Sequence, residues 1–140
     1  MQRAFATVVA LGLVILPACG SAGASDTTVR ETLERGVAQI GDPQTAKQLH
    51  DDLVGTLAKL RGEGASTVPG RRARTLAIQG FRWMLRSIDA RLEMTRNDSG
   101  NLEASVHDAR RSDQYRHRGA KLLRAAGQAL GVRIGNLNGP

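Results

Sequence analysis

An all-α fold, a small antiparallel bundle of four helices, is what the patterning of this chain predicts, and three observations carry it. Apolar residues recur at helical spacing through four successive segments. Glycine, proline and small polar residues separate those segments. Nowhere do apolar and polar residues alternate about a hairpin dipeptide, and no internal repeat is visible. Amphipathic helices joined by short connections bury their stripes best as antiparallel neighbours.

In the first helix, expected from Asp26, the residues Val29, Leu33, Val37 and Ile40 form one stripe. Asp26 or Thr27 is placed to cap its start, and Gly41 stops it. Asp42 and Pro43 then read as N-cap and first-turn proline of a second helix, whose inner face is Ala46, Leu49, Leu53, Leu57 and Leu60. Gly62, Gly64 and Pro69 bracket a loop, which ends that helix near Arg61.

The third helix, from about Arg71 to Asn97, has the clearest pattern. On a wheel of about 100° per residue, Ala73, Ala77, Gly80, Phe81, Met84, Ile88, Leu92 and Thr95 share one broad face. Arg71, Arg74, Arg82 and Arg86 lie opposite, and Trp83 sits at the boundary. A polar turn at residues 97–101 leads to the last helical region, from about Leu102 to Leu130. Two apolar stripes conflict there. Leu102, Val106 and Ala109 are rotated from Tyr115, Gly119, Leu122, Ala126 and Leu130, and the intervening Arg110, Arg111, Ser112 and Asp113 are all polar. A kink, a change of partner, or a break giving a fifth helix is therefore expected at Arg110 to Asp113. Residues 132–140 have no period and are expected to fray, with Val132 and Ile134 near the bundle.

The first residues follow a different plan. Arg3 precedes an apolar run from Ala4 to Leu16 and then small residues, the layout of a secretory signal. That run is too short for a permanent span, which needs about 20 apolar residues. Leu16, Pro17, Ala18 and Cys19 close it, and Cys19 is the only cysteine of the 140 residues. This quartet resembles the lipobox of bacterial lipoproteins. The resemblance implies removal of residues 1–18 and lipid modification of Cys19, which would sit on a flexible tether, residues 19–25, outside the cytoplasmic membrane. Ala22 and Ala24 offer a general signal peptidase a competing site, whose use would yield a secreted chain beginning at Ser25. Residues 26–131 are the expected bundle domain. With one cysteine no internal disulfide can form, so packing must hold it together.

Charge is the main functional signal. The net charge is +7 and unevenly spread: residues 20–69 carry seven acidic against five basic side chains, residues 70–140 fourteen basic against six acidic. Such a half attracts anionic lipid, acidic envelope polymers or an acidic protein. Arg71, Arg74, Arg82, Arg86, Arg110, Arg111, Arg116 and Arg118 are the candidate contact residues. Nucleic acid is not an expected partner, because the leader directs export and the aromatic interleaving used for single strands is missing.

Chemistry is harder to find. Gly-x-Ser-x-Gly, Cys–His pairs and phosphate-cradling glycine loops are all missing from the sequence, so neither an enzyme nor a cofactor is expected. Gly62-Glu63-Gly64 follows a helix, where a nucleotide motif would follow a strand. The rival reading is a secreted metal-dependent enzyme using Glu103, His107 and His117, or a ligand carrier using the bundle interior. Glu103 and His107 share a helical face, but bundle metal sites draw a Glu-x-x-His spacing from two helices. A lipid-anchored binding or scaffolding module of the cell envelope is therefore the expectation.

Overall fold

The computed structural model describes residues 21–96, 102–135 and 137. The leader, Cys19 and the turn at residues 97–101 lie outside the described residues. Four helices follow one another: α1 (Ser21–Gly41), α2 (Ala46–Gly62), α3 (Val68–Arg96) and α4 (Leu102–Ala129), with no strand among the described residues.

Hydrogen bonds and contacts between helices give their directions. Thr32 meets Glu63 and Gln39 meets Thr56, so α1 and α2 run antiparallel. Arg74 reaches Leu60 while His50 approaches Asp89, which makes α2 and α3 antiparallel as well. Gly80 lies against Gly119 and Ser87 against Ser112, setting α4 antiparallel to α3. The up-down-up-down bundle expected from the sequence is thus formed. The pairing of α3 with α4 is the most extensive, and α2 packs on α1 and α3 without reaching α4.

The core follows the predicted stripes. Val29 and Leu33 from α1, Leu53, Leu57 and Leu60 from α2, and Ala73, Ala77, Phe81, Met84 and Ile88 from α3 are all buried. Leu92 is only half-buried and Thr95 is exposed, so the inner face of α3 weakens over its last turns.

The helix starts differ from expectation. Helix α1 already runs from Ser21, through residues assigned to the tether, because Ala22 and Ala24 favour helix and no proline intervenes. Asp26 therefore caps a different helix. Its carboxylate accepts hydrogen bonds from the Ser66 amide (3.0 Å), the Thr67 amide (3.4 Å) and the Thr67 hydroxyl, at the entrance of α3. The Thr67 hydroxyl, foremost, holds the Asp26 pKa below its ordinary value. Thr67 in turn accepts from the Gly70 amide at 3.0 Å as N-cap, so α3 begins at Val68 and Pro69 sits in its first turn, where no amide donor is needed. Asp42 and Pro43 precede α2 without capping it. Thr45 and Gln48 do so through a reciprocal capping box.

Helix α4 is unbroken through Arg110 to Asp113, contrary to the expected interruption. The two-stripe conflict dissolves because Leu102 and Val106 are not core residues: they are 78% and 42% exposed. The inward stripe is instead Asp108, Ser112, Gly119, Leu123 and Ala126, continuous in phase but polar at one end. Ser112 is acceptable inside because Ser87 answers it. Each hydroxyl donates to the other's backbone carbonyl, at 2.9 and 3.0 Å. Both residues are buried, and the exchange leaves no donor unpaired.

The described residues of the C-terminal segment, 132–135 and 137, return to the bundle. Gly131, at φ 68°, takes the left-handed conformation, and the Val132 amide donates to the Gly127 carbonyl at 2.8 Å and the Gly131 amide to that of Gln128 at 3.1 Å. This glycine-terminated helix end turns the chain back over the bundle. Ile134 packs against the core and Leu137 enters it, only 1% exposed.

Candidate cationic surface

The eight candidate arginines do not share one face. Arg71 donates to the Ser66 carbonyl at 2.6 Å. Arg74 is a helix cap in trans: its Nε donates to the Leu60 carbonyl at 2.7 Å and its Nη2 to that of Arg61 at 2.6 Å. These carbonyls end α2 and have no partner within their own helix, so a cation there meets both an unfilled acceptor and the negative end of the dipole. Arg116 lies on the flank of α4 turned away from this surface, paired with Asp113 at 3.1 Å. Arg110 is exposed and points from the bundle.

Arg82, Arg86, Arg111 and Arg118 remain, along the outer seam between α3 and α4. The seam is built on Trp83 from α3 and Tyr115 from α4, whose ring centroids are 5.3 Å apart at a tilt of 39°. The Arg86 guanidinium carbon lies 4.6 Å from the Trp83 centroid and that of Arg118 lies 4.4 Å from it. The negative face of an indole attracts cations, and one ring holds two of them here. Arg82 stands one turn before Arg86 on the same side of α3. Arg111 is partly neutralised. It pairs with Asp108 at 3.3 Å, and its hydrogen bond to the Tyr115 hydroxyl, ahead of the nearby carboxylates, pushes its pKa above the ordinary arginine value.

The seam therefore presents three outward cations around a half-buried aromatic pair. Arg82, Arg86 and Arg118 have no ion pair among the described residues. The sequence places Trp83 at a boundary but gives no sign of its pairing with Tyr115, thirty-two positions away. Only the α3–α4 register joins them.

No family model, curated protein or solved structure matches this chain. Its chemistry must be read from its own residues.

The proposed metal ligands do not converge. Glu103, His107 and His117 are all exposed, and at a rise of about 1.5 Å per residue His117 stands about 15 Å further along the α4 axis than His107. No group of three His, Cys, Asp or Glu side chains is arranged to hold a metal ion among the described residues. His50 has a connecting role: its two ring nitrogens lie 3.4 Å from Asp51 and 3.3 Å from Asp89, bridging α2 to α3.

Proposed function

We propose that this protein is an exported, lipid-anchored binding module that lays its α3–α4 seam on an anionic surface of the cell envelope. The observation that carries the reading is the placing of Arg86 and Arg118 over a single tryptophan, with the exposed Arg82 one helical turn before Arg86. An indole with one apolar edge and one polar edge suits the boundary between water and lipid. Each basic residue near an anionic surface contributes about 1 kcal/mol, and a single acyl chain anchors only marginally. An acylated Cys19 and this seam would then act together. No described helix is long and apolar enough to cross a membrane, so attachment would rest on those two elements.

The seam is tested with the chain beginning at unacylated Cys19, whose only tryptophan is Trp83. Its fluorescence is expected to shift to the blue on vesicles rich in phosphatidylglycerol, at low salt, and not on phosphatidylcholine. Reversing Arg82, Arg86 and Arg118 to glutamate should weaken binding by about tenfold or more. Unchanged affinity at low salt would remove the seam from the account. The anchor is tested separately, by the mass of the N-terminal peptide from native membranes. A diacylglyceryl-modified Cys19 is expected; a chain beginning at Ser25 would make the protein a secreted one.

A further inference from the structure

Because α2 does not reach α4, a gap opens between them with α3 as its floor. The end of α1, the loop that follows it and Leu137 of the tail close part of this gap. What remains is a cavity of about 170 Å³. Its walls are largely apolar, with Leu53, Met84, Ile88 and Leu137 among them, and Arg91 and Arg116 stand at its polar side.

Arg116 is the informative residue. Its Nη2 is engaged by Asp113 at 3.1 Å, but its Nε is buried and has no hydrogen-bond partner. A buried donor of a charged group left unsatisfied is costly, and proteins rarely leave one without a reason. Arg116 also lines the apolar space, with its Nε covered by the surrounding atoms. Asp42 and Gln44 also line the cavity, yet neither pairs with Arg116.

From this juxtaposition we infer that the cavity binds a small monocarboxylate with an apolar body. The carboxylate meets the Arg116 guanidinium, whose Nε gains an acceptor once the side chain turns toward the space, with Arg91 adding attraction at the rim, while the body displaces weakly held water from the walls. Size limits the ligand. An apolar cavity of about 150 Å³ admits benzene, so benzoate or a short fatty acid is the scale that fits. This site is separate from the cationic seam, because Arg116 and Arg118 leave α4 on opposite flanks.

Benzoate and benzyl alcohol share a ring and differ in charge, so the full chain is titrated with each and followed by NMR. Benzoate is expected to saturate, to shift the signals of Leu53, Met84, Ile88 and Leu137, and to bind about tenfold more tightly than the alcohol. Arg116→Met, which keeps the apolar stem, should abolish that preference. Arg118→Met, on the other flank, should retain it. Equal binding of acid and alcohol, shifts confined to Trp83 and its neighbours, or no saturation by benzoate would each overturn the inference. The wild-type comparison decides this even if Arg116→Met unfolds, and loss of the seam's vesicle binding would leave it untouched.

Discussion

Phe81→Ala is expected to destabilise the bundle by about 3–5 kcal/mol, the usual cost of removing a fully buried ring. Phe81 is the largest fully buried side chain among the described residues. Its ring comes from α3 and ends against Gly36 of α1 and close to the Thr56 methyl of α2, so one side chain fills the junction of three helices. With so few aromatic residues in the chain, no neighbouring ring can move in to fill the space. A small domain is stable by only about 5–15 kcal/mol, so the loss takes a large share of the total. Gly36 belongs to the same arrangement. A Cβ there would lie 2.5 Å from the tip of the Phe81 ring and 2.7 Å from the Thr56 methyl. Gly36→Ala should cost about 1–3 kcal/mol with Phe81 present and markedly less with the shorter Phe81→Leu. Denaturant unfolding of the two single variants and the double one measures that coupling. Strict additivity would mean that the ring does not rest on Gly36.

The four helices were legible because large apolar residues mark three inner faces without ambiguity. Val29 and Leu33, Leu53, Leu57 and Leu60, and Ala77, Phe81, Met84 and Ile88 are where a helical wheel puts them. Helix α4 was misread for a physical reason. A wheel ranks Leu102 and Val106 above Ser112 and Asp108, yet the polar pair is buried and the apolar pair exposed. Two facing serines can exchange hydrogen bonds with each other's carbonyls, and only the α3–α4 register brings Ser87 to Ser112. The arginines were misjudged in a related way. Charge alone assigns Arg74 to the solvent, but the unpaired carbonyls ending α2 claim it, and they belong to a segment more than a dozen residues earlier. One further start signal is legible in the sequence. Thr45 with Gln48 three residues later is a capping box, and it outweighs the proline two positions before Thr45. What the wheel cannot supply is the register between helices, and the Trp83–Tyr115 seam depends on it entirely.

Gly119→Leu is expected to be nearly as damaging as the loss of Phe81, by forcing apart the helices that register brings together. A Cβ at Gly119 would lie 3.0 Å from the Gly80 carbonyl oxygen and 3.2 Å from the Met84 amide, which are backbone atoms that cannot rotate away. Even alanine should therefore be unwelcome, although replacing a mid-helix glycine by alanine ordinarily stabilises by about 1 kcal/mol. Gly55 provides the contrast. It lies within α2 with nothing inside 4 Å of its would-be Cβ, so Gly55→Ala should stabilise by about that amount. Gly119→Ala should instead lose stability, and Gly119→Leu should lose roughly 3 kcal/mol, the upper end of an overpacking cost. The seam gives a second readout. Separating α4 from α3 moves Tyr115 from Trp83 and Arg118 from the indole face, so the Trp83 emission and the near-ultraviolet circular dichroism should change in Gly119→Leu while Gly55→Ala preserves both. If Gly119→Ala stabilised the protein as Gly55→Ala does, the helices would not be in backbone contact at Gly80. The geometry that sets two guanidiniums over one tryptophan would then need another cause.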